Sequence, residues 1–201
     1  MNYKLFKDHW KEELMAIVAS SVLFFSLTPS TEAATTHDLN VGSTGSQVVL
    51  LQQDLNLVDN AHLTLDGDFG NFTKVIVEQF QASQGLTPDG IVGPQTQHAL
   101  TTQALIKESE SHIGLKYAWG GTSPVSGFYC SGFMQYAFGQ QKISLPRVSA
   151  DQAKVGTTVS YSNIKPGDLM FWDLDGTGTV NHVTMYIGKS DSDRGRFFDT
   201  R

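Results

Sequence analysis

The sequence contains a single cysteine, Cys130, among its 201 residues. One cysteine excludes an intramolecular disulfide and any metal site built from cysteine ligands. Basic residues are also few: 14 lysines and arginines stand against 20 acidic residues, the net charge is −6, and no basic cluster occurs. Electrostatic binding to nucleic acid or to an anionic membrane surface is therefore disfavoured.

The chain also lacks an apolar run long enough to span a bilayer comfortably. Residues 14–27 read LMAIVASSVLFFSL, which is shorter than the run of about 20 residues that a membrane helix needs. Three lysines precede this run and small residues up to Ala33 follow it, a pattern that predicts a secretory signal peptide over residues 1–33. The alternative is a buried helix or an uncleaved anchor. A secreted protein would carry Cys130 as a free thiol into an oxidising compartment, which requires a reason.

One turn pattern occurs twice within residues 39–100. Residues 66–73 and 89–96 both read D-G-x-x-G-x-x-T. Each turn is expected to lead into a helix, and a further amphipathic helix is predicted before them from apolar residues at helical spacing, Val48, Leu51, Leu55 and Val58. Val75, Ile76 and Phe80 are expected on the apolar face of the middle helix. The pattern thus predicts a small three-helix module.

The turn aspartates have two interpretations. Asp66, Asp68 and Asp89 are acceptable metal ligands, but aspartates in tight turns usually accept hydrogen bonds from their own backbone, and we favour that interpretation. His62 and His98 are too isolated in the sequence to indicate a zinc site.

The second module, residues 103–201, contains the candidate chemistry. Residues 101–113 are predicted to be helical, and a glycine-rich and serine-rich segment then leads to Cys130, where a second helical periodicity begins. The N-terminus of a helix carries about half a positive charge, which stabilises a thiolate and lowers its pKa. Cys130 is therefore a candidate nucleophile. The alternative is a buried, unreactive cysteine.

His182 is the best candidate for a base. It opens an alternating segment in which His182, Thr184 and Tyr186 share the polar face of a predicted strand, whereas His112 is expected at the surface. If the following hairpin paired Gly188 with the glycine at 195, Thr184 would face Asp199, which would then lie within reach of the imidazole. Asp199 is thus the candidate that orients His182. The alternatives are a surface histidine and a solvated edge carboxylate.

The segment between Asp173 and Gly178 echoes the start of a calcium-binding loop. Such a loop needs a glutamate at its twelfth position, which here is Thr184. We therefore predict a hairpin turn that leads into the strand of His182.

Two family resemblances follow from these motifs. Residues 39–100 resemble a peptidoglycan-binding domain of type 1, on the marks Gly42, Gly45, Leu51-Gln52 and the two turns. The second module resembles the NlpC family of papain-like cysteine endopeptidases that cut bacterial cell-wall peptides. The matching stretches are residues 117–121 (YAWGG), 127–133 (GFYCSGF), 145–147 (LPR), 149–152 (SADQ), 166–169 (PGDL) and 182–188 (HVTMYIG).

The second resemblance implies roles for several residues. It makes Cys130 the nucleophile and His182 the base, and it places Tyr117 and Ser131 in the substrate cleft. Tyr129 stands where the family usually has an aspartate that helps bind the amino group of the substrate, and we count it with the substrate-binding residues. At the third catalytic position Asp199 replaces the usual histidine, asparagine or glutamine. Relatives continue with further strands past the position of Arg201, so the sheet is expected to be short at this edge or the sequence to be a fragment.

The sequence therefore predicts an α+β protein, with a small helical peptidoglycan-binding domain followed by a papain-like cysteine peptidase domain. We expect a secreted, wall-associated monomer that cleaves a peptide bond in peptidoglycan stem peptides, without metal or cofactor. The resemblance favours the bond between D-glutamate and the diamino acid. Two alternatives stay open: a peptidoglycan-binding protein with an inactive or incomplete enzyme module, and a thioester-forming amidase or acyltransferase.

Overall fold

The computed structural model describes residues 38–189 and 195–200. The predicted signal peptide, residues 1–33, lies outside these residues. Five helices are described: α1 (Ser46–Asp59), α2 (Asn71–Ser83), α3 (Pro94–Ser111), α4 (Cys130–Gln140) and the single turn α5 (Ser149–Gln152). Five strands are described: β1 (Thr122–Ser123), β2 (Gly127–Phe128), β3 (Leu169–Trp172), β4 (His182–Lys189) and β5 (Gly195–Phe198). Helices combine with antiparallel sheets, so the α+β expectation is confirmed.

The first module is the expected three-helix unit. Its helices enclose an apolar core formed by Val48, Leu51, Leu55, Leu63, Phe69, Val77, Phe80, Val92 and Leu100. Phe80 and Ile76 face this core as predicted, but Val75 is exposed, so its assignment to the apolar face was wrong. Successive helix positions are about 100° apart, which turns residue 75 towards solvent when residue 76 faces inward.

A buried glutamine holds each of the two repeated turns. The Nε2 of Gln52 donates to Asp66 Oδ1 at 2.7 Å, and its Oε1 accepts from the N–H of Gly67 at 3.0 Å. Gln81 does the same at the second turn with Asp89 (2.9 Å) and Gly90 (2.9 Å). Each aspartate also accepts the backbone N–H two residues on, which confirms the turn interpretation. The repeat therefore includes a glutamine on the preceding helix that the turn motif alone does not reveal.

A continuous helix joins the two modules. α3 begins in the first module and runs through residues 101–103, where the sequence suggested the boundary. Leu100 packs in the first core and Leu105 in the second. The helical segment expected over residues 101–113 is therefore the second half of α3, and a rigid helix replaces a linker.

His112 also departs from expectation. It follows α3, and its side chain is only 12% exposed rather than on the surface. Its ring contacts Phe128, Phe133 and Tyr136 at centroid distances of 5.5, 5.9 and 5.5 Å. An imidazole presents an apolar ring face as well as polar nitrogens, and here the face packs in the core of the second module.

The second module packs α4 against a three-stranded antiparallel sheet in the order β3–β4–β5. Residues 182–186 of β4 are all buried, including His182 and Thr184 on the face expected to be polar. The polar face of this strand is therefore covered as well. None of the helices within residues 38–189 is both long and apolar enough to cross a membrane.

One buried polar contact ties the modules together. The side-chain amide of Gln141, which caps the C-terminus of α4, donates to Asp54 Oδ1 on α1 at 2.7 Å. Asp54 is 1% exposed, and its other oxygen and Gln141 Oε1 are buried without a hydrogen-bond partner. Burial raises the pKa of Asp54 to about 6, although the Gln141 hydrogen bond acts in the opposite direction. The interface therefore favours an uncharged carboxyl.

Candidate active site

Cys130 is the first residue of α4, as the sequence predicts. The preceding residue, Tyr129, is extended (φ −97°, ψ 154°), so the helix begins abruptly at the cysteine. Cys130 is 1% exposed. Within the residues that the structure describes, its backbone N–H finds no acceptor, as expected for the first N–H groups of a helix. The thiol thus lies at the positive end of the helix dipole, next to a backbone donor that has no partner.

Close backbone contact fixes this helix start. The N–H of Tyr129 donates to the carbonyl of Gly121 at 2.9 Å. A Cβ on Gly132 would overlap the same carbonyl oxygen, and a Cβ on Gly121 would overlap the carbonyl of Gly127. Only glycine allows the loop and the helix to approach this closely. The glycine-rich approach to Cys130 is therefore a packing requirement that positions the thiol.

His182 lies between Cys130 and Asp199. Its Nε2 lies 3.2 Å from Asp199 Oδ2, and its ring lies close enough to the Cys130 thiol for each group to shift the pKa of the other. The side chain of His182 is 4% exposed and that of Asp199 is 31% exposed, so the surface-histidine alternative is wrong and Asp199 is only partly solvated. The structure thus brings the three predicted catalytic residues together, with His182 between the thiol and the carboxylate.

The strand register explains why Asp199 reaches His182. Gly188 pairs with Arg196 rather than with the glycine at 195, so the assumed pairing at the hairpin end was wrong. A β-bulge between Tyr186 and Gly188 then absorbs one residue, and Met185 pairs with Phe198. Continuing this register places Thr184 opposite Asp199, as the assumed pairing did. The bulge therefore compensates for the one-residue error at the turn.

The pKa values of Cys130 and His182 shift towards each other. Burial raises the pKa of the Cys130 thiol, but the hydrogen bond and charge of His182, with the N–H groups of Val183 and Ser131, outweigh it and lower the pKa. Burial lowers the pKa of His182, whereas its hydrogen bonds to Asp199 and Cys130 and their charges outweigh this and raise the pKa. Both shifts favour a thiolate beside an imidazolium.

Ser131 is held in the wall of the site by two side chains. Arg147 donates from Nη1 to Ser131 Oγ at 3.1 Å and from Nη2 to the carbonyl of Gly120 at 2.7 Å. Gln152 donates to the carbonyls of Ser131 (2.9 Å) and Pro146 (2.8 Å). Arg147 and Gln152 belong to the matched stretches 145–147 and 149–152, but the sequence assigned them no role.

Three aromatic side chains lie beside the nucleophile. The ring of Tyr129 contacts those of Trp119 and Tyr117 at centroid distances of 4.7 and 5.5 Å. We call these three residues the aromatic row. Tyr129 is half-buried, Tyr117 is 38% exposed and Trp119 is 85% exposed. The structure thus groups two predicted substrate-binding residues, Tyr117 and Tyr129, with a tryptophan that was assigned no role.

A cavity of about 300 Å³ opens beside the imidazole, and it is lined by Trp172, Leu174, His182, Thr184, Phe197 and Asp199. Trp172 Nε1 donates to Thr184 Oγ1 at 3.0 Å, which leaves the rings of Trp172 and Phe197 as apolar walls. The cavity therefore offers an apolar surface next to His182 and Asp199.

The turn at Asp173 is a hairpin, as predicted. Asp173 accepts the N–H groups of Gly176 (2.9 Å) and Gly178 (2.7 Å), and the turn connects the antiparallel strands β3 and β4. Across residues 38–189 and 195–200, no group of three or more His, Cys, Asp or Glu side chains is arranged to hold a metal ion.

Two family models match the chain. Residues 114–199 match the NlpC/P60 family, and residues 44–100 match a family described as "Putative peptidoglycan binding domain". These matches lie within the two modules that the sequence motifs indicate.

Individual relatives match the second module. "Probable endopeptidase p60" of Listeria innocua is 48% identical over 85 residues, which cover 42% of this chain and 18% of that protein. "Gamma-D-glutamyl-L-lysine dipeptidyl-peptidase" of Bacillus subtilis is 41% identical over 96 residues, which cover 47% of this chain and 32% of that protein. The crystal structure of an NlpC/P60 family protein from Bacillus cereus is 35% identical, covers 48% of this chain and 34% of that chain, and has a TM-score of 0.42. The chain thus spans between 18% and 32% of the length of these two curated relatives.

Proposed function

We propose a secreted, wall-associated cysteine endopeptidase, on the premise that residues 114–199 match the NlpC/P60 family and residues 44–100 match a putative peptidoglycan binding domain. Its substrate is the stem peptide of peptidoglycan, and the first module holds the enzyme on the wall. The observation that carries the proposal is the buried His182 that lies between the Cys130 thiol, at the start of α4, and the Asp199 carboxylate.

The proposed reaction has two steps. The Cys130 thiolate attacks the carbonyl carbon, and the N–H of Cys130 donates to the developing oxyanion. His182 gives its proton to the leaving nitrogen, so the C–N bond breaks and a thioester remains. His182 then takes a proton from water, whose oxygen attacks the thioester carbonyl, and the C–S bond breaks to restore the thiolate. Asp199 orients the imidazole and stabilises its charged form.

The proposed bond is the one between D-glutamate and the diamino acid. The Bacillus subtilis relative, 41% identical over 96 residues, is named for a gamma-D-glutamyl-L-lysine bond. We propose the same kind of bond for this chain on that similarity. This choice of bond is the part of the proposal that product analysis tests most directly.

Digestion of purified peptidoglycan tests the function. We expect the wild-type protein to release stem-peptide fragments that end at D-glutamate, identified by mass spectrometry with the added mass of one water. A matched Cys130→Ser variant keeps the size and helix position of the side chain but should release none. Fragments without the added water would indicate acyl transfer, and fragments that end between sugar and peptide would indicate an amidase. No release, with the protein still sedimenting with the wall, would favour a binding protein without enzyme activity.

Asp199→Asn tests the role of the carboxylate. We expect kcat to fall by no more than about ten-fold, because the amide oxygen of asparagine still accepts the imidazole N–H and because Asp199 is partly exposed, so that water replaces part of its hydrogen bonding. Without the charge of Asp199 the pKa of His182 should fall, so the basic limb of the pH–rate profile should move to lower pH.

The control for this prediction is Asp175→Asn, in the exposed turn before β4. It should leave both kcat and the pH profile unchanged. A drop in kcat for Asp199→Asn without movement of the basic limb would indicate a structural role and would contradict the proposed orientation of His182.

A further inference from the structure

Trp119 of the aromatic row has little part in packing. Its side chain is 85% exposed, and the ring of Tyr129 at 4.7 Å is its aromatic neighbour. Together with Tyr117 and Tyr129 it forms a contiguous, partly exposed aromatic surface, and contiguous exposed apolar surface is a mark of binding sites. Its exposure next to a candidate nucleophile therefore indicates a binding function.

The backbone around Trp119 is fixed although its side chain is exposed. The N–H of Ala118 donates to the carbonyl of Phe128 at 2.9 Å, and the N–H of Gly121 donates to the carbonyl of Ala118 at 2.9 Å. Tyr129, which the indole contacts, directly precedes Cys130 and is held by the Gly121 carbonyl. The aromatic row thus has a defined position relative to the thiol, and an organised ring surface binds a ligand with little loss of entropy.

We propose that the aromatic row is a sugar subsite, in which a glycan ring of peptidoglycan lies against Trp119 while the attached stem peptide reaches Cys130. This proposal rests on the function proposed above and adds a substrate requirement: a stem peptide still joined to its sugar. The face of a pyranose ring presents C–H groups, and these pack on the electron-rich face of an aromatic ring. Tyr129 supplies no charge, so the row can receive an uncharged sugar but cannot form an ion pair with a free substrate amine.

The dimensions of the substrate fit this arrangement. On the sugar side of the proposed bond lie D-glutamate, L-alanine and a lactyl group, which together span about 10 Å at about 3.5 Å per unit. Tyr129 adjoins Cys130, at about 3.8 Å between Cα atoms, and its side chain leads on to Trp119. The proposal requires that the span from the thiol to the indole, which Tyr129 bridges, be comparable with this stem-peptide length.

The test compares two substrates that differ only in the sugar. Soluble disaccharide peptides from muramidase-digested peptidoglycan are set beside the same peptides after alkaline removal of the sugars, which leaves a lactyl cap and no free amine. We expect the wild-type chain to prefer the disaccharide peptides in kcat/KM. Trp119→Ala should lower kcat/KM for the disaccharide peptides by about three- to ten-fold and leave the lactyl peptides unchanged. Trp119→Phe should retain most of the preference.

The control is Val125→Ala, a side chain 98% exposed on the neighbouring turn and outside the aromatic row. It should affect neither substrate. The first module is unchanged in every variant, so sugar bound there contributes equally. Equal losses on both substrates in Trp119→Ala, or no preference in the wild type, would overturn the sugar subsite.

A binding measurement separates this proposal from the proposed function. Disaccharide peptide is titrated into Cys130→Ala by calorimetry, with and without Trp119→Ala. Weaker binding in the double variant would support the subsite even if the wild-type protein cleaved nothing. Equal affinity in the two variants would refute the subsite even if the wild-type protein proved to be an active endopeptidase.

Discussion

His182→Ala is expected to lower kcat/KM on stem peptides by about a thousand-fold, because the variant loses both the proton acceptor and the group that stabilises the thiolate. In the wild type the hydrogen bond and charge of His182 lower the pKa of Cys130 against the effect of burial. Without His182, burial is opposed only by the N–H groups of Val183 and Ser131, so the pKa of the thiol should rise. The variant would then carry little thiolate near neutral pH.

Labelling of Cys130 with iodoacetamide measures this change directly, because the reagent reacts with the thiolate. The sign follows from the two shifts: the thiolate forms as pH rises through the lowered pKa of Cys130, and the raised pKa of His182 keeps the imidazolium charged to higher pH. A free thiol has a reference pKa of about 8.5. The wild type should therefore label at lower pH than a free thiol, well below pH 8, and His182→Ala should label only at higher pH. His98→Ala, in the first module, is the control and should label as the wild type does. Identical labelling profiles in wild type and His182→Ala would refute the pairing.

Asp54→Asn is expected to stabilise the protein at pH 7.5 by about 2 kcal/mol, because ionising a buried carboxyl whose pKa is about 6 costs folding free energy. The folded-state pKa lies above the unfolded value of about 4, so the folded state binds more protons between these values. Wild-type stability should therefore fall as pH rises from about 4 to about 6 and then level off. The asparagine variant should show no such fall.

The buried atoms without a hydrogen-bond partner at this contact also indicate that a charged Asp54 lowers the stability of the fold. A protonated Asp54 can donate from Oδ2 to Gln141 Oε1, which satisfies the two buried atoms that have no partner when the carboxyl is charged. The amide of an asparagine supplies the same donor at every pH. Urea unfolding at pH 5 and pH 7.5 measures the effect. Asp151→Asn, at an exposed pair with Lys154, is the control and should leave the pH dependence as in the wild type. A variant less stable than wild type at pH 7.5 would contradict the proposed cost of the charge.

Several parts of the site were predictable because they depend on neighbouring residues. The helix start at Cys130 follows from the glycine-rich approach and the periodicity after it, and the hairpin at Asp173 follows from its aspartates and glycines. The buried environment of His112 was not predictable in the same way. Its polar neighbours in sequence indicated the surface, but aromatic rings brought in by β2 and α4 cover it.

The boundary between the modules was likewise not predictable from neighbouring residues. Residues 94–100 and 101–113 were each expected to be helical, yet nothing in the local pattern revealed that one helix serves two cores. The contact between Asp54 and Gln141 joins residues 87 positions apart, and neither residue marks the other in the sequence. Such pairings depend on how whole helices pack, because side-chain contacts form only after the backbone has brought distant segments together.

By itself the sequence determined the α+β class, the two modules, the repeated turns and the place of Cys130 at the head of a helix, since propensity and periodicity act over a few residues. Only the tertiary structure decided the geometry around the thiol. The bulge in β4 places Asp199 beside His182, the glycine contacts fix the helix start, and the loop at Trp119 arranges the aromatic row. The physical reason is that strand register and close packing are properties of the assembled chain, because a slip of one residue turns every side chain to the opposite face.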